Sequence, residues 1–374
     1  MSTTEFVLRS GESWRDPFPM YRDLRDHDPV HHMPGGDNHD GFWFLSRFAD
    51  VFAAARDTGT FSSARGLTVE PGTGVDMGEA TPIVFLDPPD HTAFRRLVGP
   101  GFTPRQVTDI EDDVRDFVVE RLARLIAEGG GDIVADLFKP LPSFVVAHYL
   151  GVPAEDRFYF DQWTEQIVAA AAEGRTGDPT SGIVDLLAYI TDLIERRRVE
   201  PSGDMVSQLV ALGEDTVSIM WILGFAFTMV TGGNDTTTGL LGGSAVLLHQ
   251  RPDQRRRLVD DPSMIPSAVE ELLRLTSPVQ NLARTTTPDV ALHGSNIRKG
   301  SKDLLSYGAA NRDEREFGTD ADSLDVGRTP TRILSFSYGA HRCLGAAAPW
   351  IERDGEDRDD PLARLSVHGH ADGE

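Results

Sequence analysis

The sequence predicts a mainly α fold with a small β region. Two features carry this. Most of the chain reads as long helical patterns bounded by Pro, Gly and N-cap residues, while only a few short apolar runs beside polar turns read as strands. A third feature sets the scale: no low-complexity linker and no internal repeat divides the 374 residues, so one large domain is expected. Apolar residues make up 40% and charged residues 25%, ordinary for a soluble globular protein. The formal net charge of −23 argues against nucleic acid and against an anionic membrane surface as partners. Cys343 is the only cysteine, so no internal disulfide framework exists, as expected in a reducing cytoplasm. The opening Met-Ser-Thr-Thr-Glu-Phe has neither the basic nor the apolar region of a signal peptide.

The elements follow in order. Residues 14–29 are amphipathic and stop at Pro29, giving a first helix. Val30–Met33 and 41–46 form two short strands across a polar turn, and Phe48–Arg56 is a helix. Residues 66–81, rich in Gly, Thr and Pro, form a loop. Asp90 can cap a helix on which His91 and Arg95, four apart, could together grip one anionic group. The same spacing also suits a solvated face. Residues 110–128 and 134–150 make two helices, and 155–200 two more around the breaker 173–181, a candidate lid.

Residues 215–250 give the longest helical pattern, roughly 50 Å at ~1.5 Å per residue. Its centre reads Gly232-Gly-Asn-Asp-Thr-Thr, and paired interior glycines cost about 1 kcal/mol each relative to alanine. Either they let a second helix approach closely, or they leave room for a ligand while Thr236 bonds a carbonyl one turn back, beside Asp235. The stretch 219–248 carries a single charge, Asp235, and is long enough to span a bilayer, although its polar centre is out of place in hydrocarbon. Next comes a helix over 262–275 with Glu271 and Arg274 three apart, able to pair on one face. Arg284 opens a strand region that runs to Leu305. Within it Asp303 is an acid where a buried strand favours a β-branched apolar residue.

The stretch that the rest serves is 336–345, Phe-Ser-Tyr-Gly-Ala-His-Arg-Cys-Leu-Gly. Gly339 and Gly345 allow a tight backbone there. Such a loop can turn successive N–H groups toward a thiolate, suiting Cys343 to be the axial ligand of a haem iron. The decapeptide resembles the haem-binding loop of the cytochrome P450 family, Phe-[Gly/Ser]-x-Gly-x-His-x-Cys-x-Gly. Gly232–Thr236 is similar to the family's [Ala/Gly]-Gly-x-[Asp/Glu]-Thr motif, and Glu271 to Arg274 to its Glu-x-x-Arg. The resemblance covers roughly residues 14–348 and is closest to soluble actinobacterial members.

That resemblance implies a cytochrome P450 fold over 1–348 and a haem-thiolate monooxygenase containing haem b (iron protoporphyrin IX). Cys343 would be the iron ligand. His91, Arg95, Arg284 and His341 would hold the propionates, with Gly339 and Gly345 shaping the cofactor loop. Gly232 and Gly233 would leave space for dioxygen, with Asp235 and Thr236 as the proton path. An apolar small molecule would take one oxygen atom, using two electrons from a ferredoxin and its reductase. No flavin or nicotinamide domain is recognisable, nor a phosphate loop, a nucleophile elbow or a His-Glu-x-x-His zinc pair. An acidic ferredoxin meeting so acidic a chain implies a local basic patch, expected at Arg332 and Arg342.

After Ala348 the family pattern stops: Pro349-Trp350 interrupts the expected last helix, and 349–374 reads as an acidic, disordered tail without the C-terminal hairpin. Two alternatives therefore stay open, a haem-binding but inactive P450 and a membrane protein spanning at 219–248.

Overall fold

The computed structural model describes residues 16–36, 39–70, 78, 81–102, 109–173 and 180–346. The chain divides into two compact units, one of Met1–Asp76, Val84–Ala93 and Glu270–Ala346, the other of Met77–Ile83, Phe94–Val269 and Ala347–Glu374. The tail 349–374 and the centre of the expected lid, 174–179, lie outside the described residues.

The first unit holds the β structure. Strands β1 (Val30–Met33), β2 (Phe42–Leu45), β3 (Phe61–Ser62), β4 (Asn281–Thr286) and β7 (Lys302–Ser306) form one sheet in the order β1-β2-β7-β4-β3. The β2–β7 pair is parallel and the others antiparallel, while β5 (Val290–Leu292) and β6 (Ser295–Ile297) make a separate hairpin. Successive strand residues face opposite ways, so the register sorts two cores. Phe42, Phe44, Ala283 and Leu304 pack on Tyr21 and Leu24 of the helix Phe18–His27. Leu45 and Leu305 pack on Val51, Ala54 and Ala55 of the helix Phe48–Arg56, with Tyr307 and Leu334. Each fully buried large side chain contributes about 1.5–3 kcal/mol.

The second unit is helical, and its long helix Ile219–Gln250 starts four residues later than the sequence pattern suggests. Ser218 sets that start, its hydroxyl accepting from the Trp221 N–H at 3.3 Å as an N-cap. The helix expected over 134–150 is broken in two, a π turn Val134–Phe138 followed by Pro140–Leu150. Pro140 has no N–H to continue a ladder but suits a first helical turn. Two helices of this unit escape the sequence reading, Met205–Val210, capped by Asp204, and Pro252–Asp260. No helix among the described residues is long and apolar enough to cross a membrane, which counts against 219–248 as a span.

Candidate active site

In the first unit a buried ion pair anchors the cysteine loop. Glu271 and Arg274, on the helix Ile265–Thr276, have fully buried side chains and meet fork to fork, Nε to Oε2 at 2.7 Å and Nη2 to Oε1 at 2.8 Å. Nη1 of Arg274 donates to the carbonyls of Asn311 (2.6 Å) and Ala321 (2.7 Å). Asn311 in turn accepts from the Leu334 N–H at 2.7 Å and donates to Ser335 Oγ at 3.0 Å, while Ser335 reaches back to the Leu273 carbonyl. The Glu271 helix is thereby tied to the segment just ahead of the loop.

The loop closes on itself, the Cys343 N–H donating to the Phe336 carbonyl at 2.9 Å. Gly339 takes φ +70°, and a Cβ there would lie 2.9 Å from Cα of Arg56 and 3.1 Å from the Ala55 carbonyl oxygen. Only glycine fits so close an approach in that conformation. A Cβ on Gly345 would sit 3.8 Å from the sulfur, in ordinary contact. Cys343 itself is exposed.

Three of the four cations expected to hold propionates belong to the same unit. The rings of His91 and His341 lie 4.3 Å apart. Nε2 of His341 is 3.2 Å from Ser63 Oγ and 4.0 Å from Asp87 Oδ1. Serine and carboxylate thus approach the same ring nitrogen, which rules out a nucleophilic Ser-His-Asp relay, where they take opposite nitrogens. Asp87 also accepts from the Ser63 N–H at 2.9 Å and from Ser62 Oγ, fixing that turn. Arg284 is 2% exposed on β4 and spends one donor on the Ala283 carbonyl at 2.8 Å. Its remaining donors take no protein acceptor among the described residues, which leaves them to an anionic ligand. One exposed thiol, a histidine pair and a buried arginine with unspent donors suit a dianionic haem with a thiolate ligand.

Arg95 stands one turn beyond His91 on the helix Asp90–Val98, half-buried, and belongs to the second unit. That unit also carries the long helix, where the two glycines prove unlike. A Cβ on Gly233 would come 2.9 Å from Cγ2 of Val146, so Gly233 serves the approach of the helix Pro140–Leu150. A Cβ on Gly232 would meet nothing within 4 Å. Gly232, Asp235 and Thr236 stand at i, i+3 and i+4, on one face. The open side of the helix is therefore the one bearing the acid and the alcohol. The Thr236 hydroxyl donates to the Gly232 carbonyl at 2.9 Å, as expected. Desolvation raises the Asp235 carboxyl above its ordinary value, with Lys139 opposing, although the residue as a whole is exposed.

Ser63 and Asp87 are the partners that sequence reasoning missed. The only local signal for them was the Asp87-Pro-Pro-Asp-His run, since Ser63 meets a histidine 278 positions away. The expected basic patch is altered as well. Arg332 forms a two-pronged pair with Glu316 at 2.8 and 3.1 Å and lies over the rings of Phe48 and Phe52, so its charge is largely answered within the protein.

Comparison with known proteins agrees with this geometry. The family model for cytochrome P450 matches residues 244–347. Cytochrome P450 130 of Mycobacterium tuberculosis (strain ATCC 25618 / H37Rv) is 60% identical over 353 residues, covering 92% of this chain and 87% of the relative. Vitamin D(3) 25-hydroxylase of Pseudonocardia autotrophica is 36% identical over 94% of this chain and 87% of its own length. Among solved structures, cytochrome P450 CYP109Q5 from Chondromyces apiculatus superposes with a TM-score of 0.80 at 32% identity, covering 96% of this chain and 86% of the other. With its cysteine loop, buried Glu271–Arg274 pair and glycine-bearing long helix, the chain belongs to the cytochrome P450 family, the haem-dependent monooxygenases.

Proposed function

We propose that this monooxygenase inserts one atom of dioxygen into an apolar small molecule, the other atom leaving as water. Two electrons come from a ferredoxin and its reductase, because no flavin or nicotinamide motif is visible in the chain. The observation that carries this reading is the uncovered thiol of Cys343 on a loop that only glycine at 339 permits. Haem, when bound, supplies the redox chemistry that activates dioxygen. Cys343 would hold the iron as thiolate. His91, His341, Arg95 and Arg284 would bind and orient the propionates through charge-assisted hydrogen bonds. Gly339 lets the cofactor loop close against the helix Phe48–Arg56, Gly345 lies beside the sulfur, and Gly232, with Gly233 letting the neighbouring helix in, leaves the helix face free for oxygen and substrate. Thr236 keeps lone pairs free to hold water on that face, while its proton is fixed on the Gly232 carbonyl. Asp235, with its carboxyl raised by desolvation, retains a proton to higher pH than an ordinary carboxylate and so serves as donor beside it.

The substrate class draws support from relatives. One is named for vitamin D(3) hydroxylation, another is a mycinamicin IV hydroxylase/epoxidase, and a structural neighbour was solved in complex with corticosterone. The acidic charge and single cysteine favour the cytoplasm and disfavour nucleic acid or stable membrane insertion. The reduced, carbon-monoxide-bound absorption spectrum of the haem-loaded full chain tests the proposal, because thiolate ligation displaces that band distinctively. Cys343→Ser is expected to abolish the thiolate signature. Its retention in the variant would refute the assignment.

A further inference from the structure

Among the described residues of the first unit, one buried acid is left without any hydrogen-bond partner. Asp303 is 0% exposed at the centre of the five-stranded sheet, and neither carboxyl oxygen has a hydrogen-bond partner among the described residues. Buried carboxyls are ordinarily bonded, so an unsatisfied one calls for a reason. Its place in the register supplies one. In the β4–β7 ladder Asp303 lies directly opposite Arg284, and on its other side opposite Trp43 of β2. Opposed residues in an antiparallel pair share a face, with Cβ atoms ~5 Å apart. The unpartnered acid and the arginine with unspent donors are thus nearest cross-strand neighbours.

The two are not joined. Arg284 turns a donor to the Ala283 carbonyl and forms no ion pair with Asp303. Since Asp303 is wholly covered, it cannot touch a ligand itself. Any effect it has on one passes through Arg284. Other charges nearby are engaged elsewhere. Lys302, on its own strand, points its ammonium at the carbonyls of Arg65 and Gly66. On the helix packed against this face, Asp50 holds His293 at 2.9 Å and Arg56 lies over Phe52. In the neighbouring hairpin Asp289 is taken by Arg298 and by the Lys299 N–H, and β2 carries no charged side chain.

We propose that Asp303 is a positioning residue for Arg284, leaving the guanidinium to its anionic ligand while the carboxyl is neutral and drawing it inward, away from that ligand, once ionised. The inference rests on Arg284 holding a haem propionate. Burial pushes the Asp303 carboxyl up to about 8, with Lys302 pulling the other way, which places the change near neutral to mildly alkaline pH. An apolar side chain here would fix Arg284 in one behaviour at every pH.

Haem release tests this without reference to turnover. The haem-loaded full chain is mixed with excess apomyoglobin as haem acceptor, and transfer is followed by absorbance from pH 6.5 to 9.5. The wild-type protein is expected to release haem on the order of tenfold faster at the alkaline end. Asp303→Asn and Asp303→Val, both without a titrating group, are expected to release slowly across the range. Arg284→Leu is expected to release fast throughout. A wild-type-like pH dependence in either Asp303 variant overturns the inference, as does a flat wild-type profile beside a fast Arg284→Leu. A wild-type rate in Arg284→Leu shows instead that Arg284 holds no propionate and removes both readings. A merely structural role for Asp303 would move the melting temperature and leave the wild-type pH profile of release in its variants, so the profile, not the melt, separates the two.

Discussion

Cutting the buried Glu271–Arg274 pair on one side only is the sharpest test of how the cysteine loop is held. Arg274 makes four hydrogen bonds, two to Glu271 and one each to the carbonyls of Asn311 and Ala321, and its guanidinium lies 4.8 Å from the Phe317 ring centroid. Glu271 also accepts from Arg328 Nε at 3.1 Å and from the Asp325 N–H at 3.3 Å. Glu271→Leu leaves the Arg274 guanidinium fully buried with only two carbonyls, an uncompensated charge worth about 3–5 kcal/mol. Arg274→Met leaves Glu271 still answered by Arg328, but orphans the Asn311 and Ala321 carbonyls at about 1–3 kcal/mol each. Either loss is a large share of a total stability of about 5–15 kcal/mol. The double variant is expected to cost less than the two singles together, by at least about 2 kcal/mol, because no unpaired charge remains. Arg274→Lys is expected to rescue little, since a point charge cannot reproduce the fork. Urea denaturation followed by circular dichroism gives the free energy of the parent and of each variant. Single variants within about 1 kcal/mol of the parent, or strictly additive costs, would refute the reasoning.

Further outcomes follow from particular contacts. Gly232→Ala, facing open space, is expected to raise the melting temperature through the helix preference of alanine, about 1 kcal/mol, while lowering substrate oxidation. Gly233→Ala meets Val146 and is expected to gain no stability, because overpacking cancels the helix term. Equal stabilisation of the two in thermal melts would contradict the assignment of faces. Asp303→Val should stabilise the chain by about 1–3 kcal/mol at neutral pH by removing an unsatisfied buried acid. Because the folded carboxyl lies near 8 and the ordinary value is 3.8, the folded state binds the extra proton between them. Stability is then greatest below about pH 4 for this group and falls as pH rises through 8, so the gap to Asp303→Val should widen over that window in urea titrations. Reversing charge at both Arg332 and Arg342 should slow reduction by ferredoxin and flatten its salt dependence. With Arg332 already answered by Glu316, Arg342 should carry most of the effect, and a rate and salt slope equal to wild type would remove the patch.

How much of this was legible in the sequence depends on how local the physics is. The cysteine decapeptide, the Gly232–Thr236 run and the i, i+3 pair of Glu271 and Arg274 are contiguous, and each states its own geometry. Helix ends set by a side chain within three residues were within reach, as Ser218 and Asp204 show in retrospect. The break at Pro140 shows the opposite failure, an apolar period that continues across a residue whose missing N–H cannot. Partners of His341 were beyond sequence reasoning because Ser63 and Asp87 arrive from a distant segment, and no spacing rule joins positions 63 and 341. Nor could periodicity choose between two roles for adjacent glycines, since a turn of about 100° per residue sends neighbours to different faces.

Asp303 marks where local and global reasoning meet. From sequence it was only a conflict, an acid in a run of strand residues. Such conflicts are expected to fall at functional or strained positions. The register turns the conflict into a relation, because it sets the acid across from the one buried arginine that the resemblance places at a propionate. A strand interior tolerates an uncompensated carboxyl only if the neutral form dominates, and full burial enforces that. The acid's penalty and its leverage on Arg284 share this origin: the same absence of water that raises its pKa leaves its charge, once formed, weakly screened from the guanidinium set opposite it in the ladder. Substituting the expected apolar residue therefore removes the penalty and the leverage together, so a gain in stability accompanied by an unchanged pH profile of haem release would separate what this geometry holds to be inseparable.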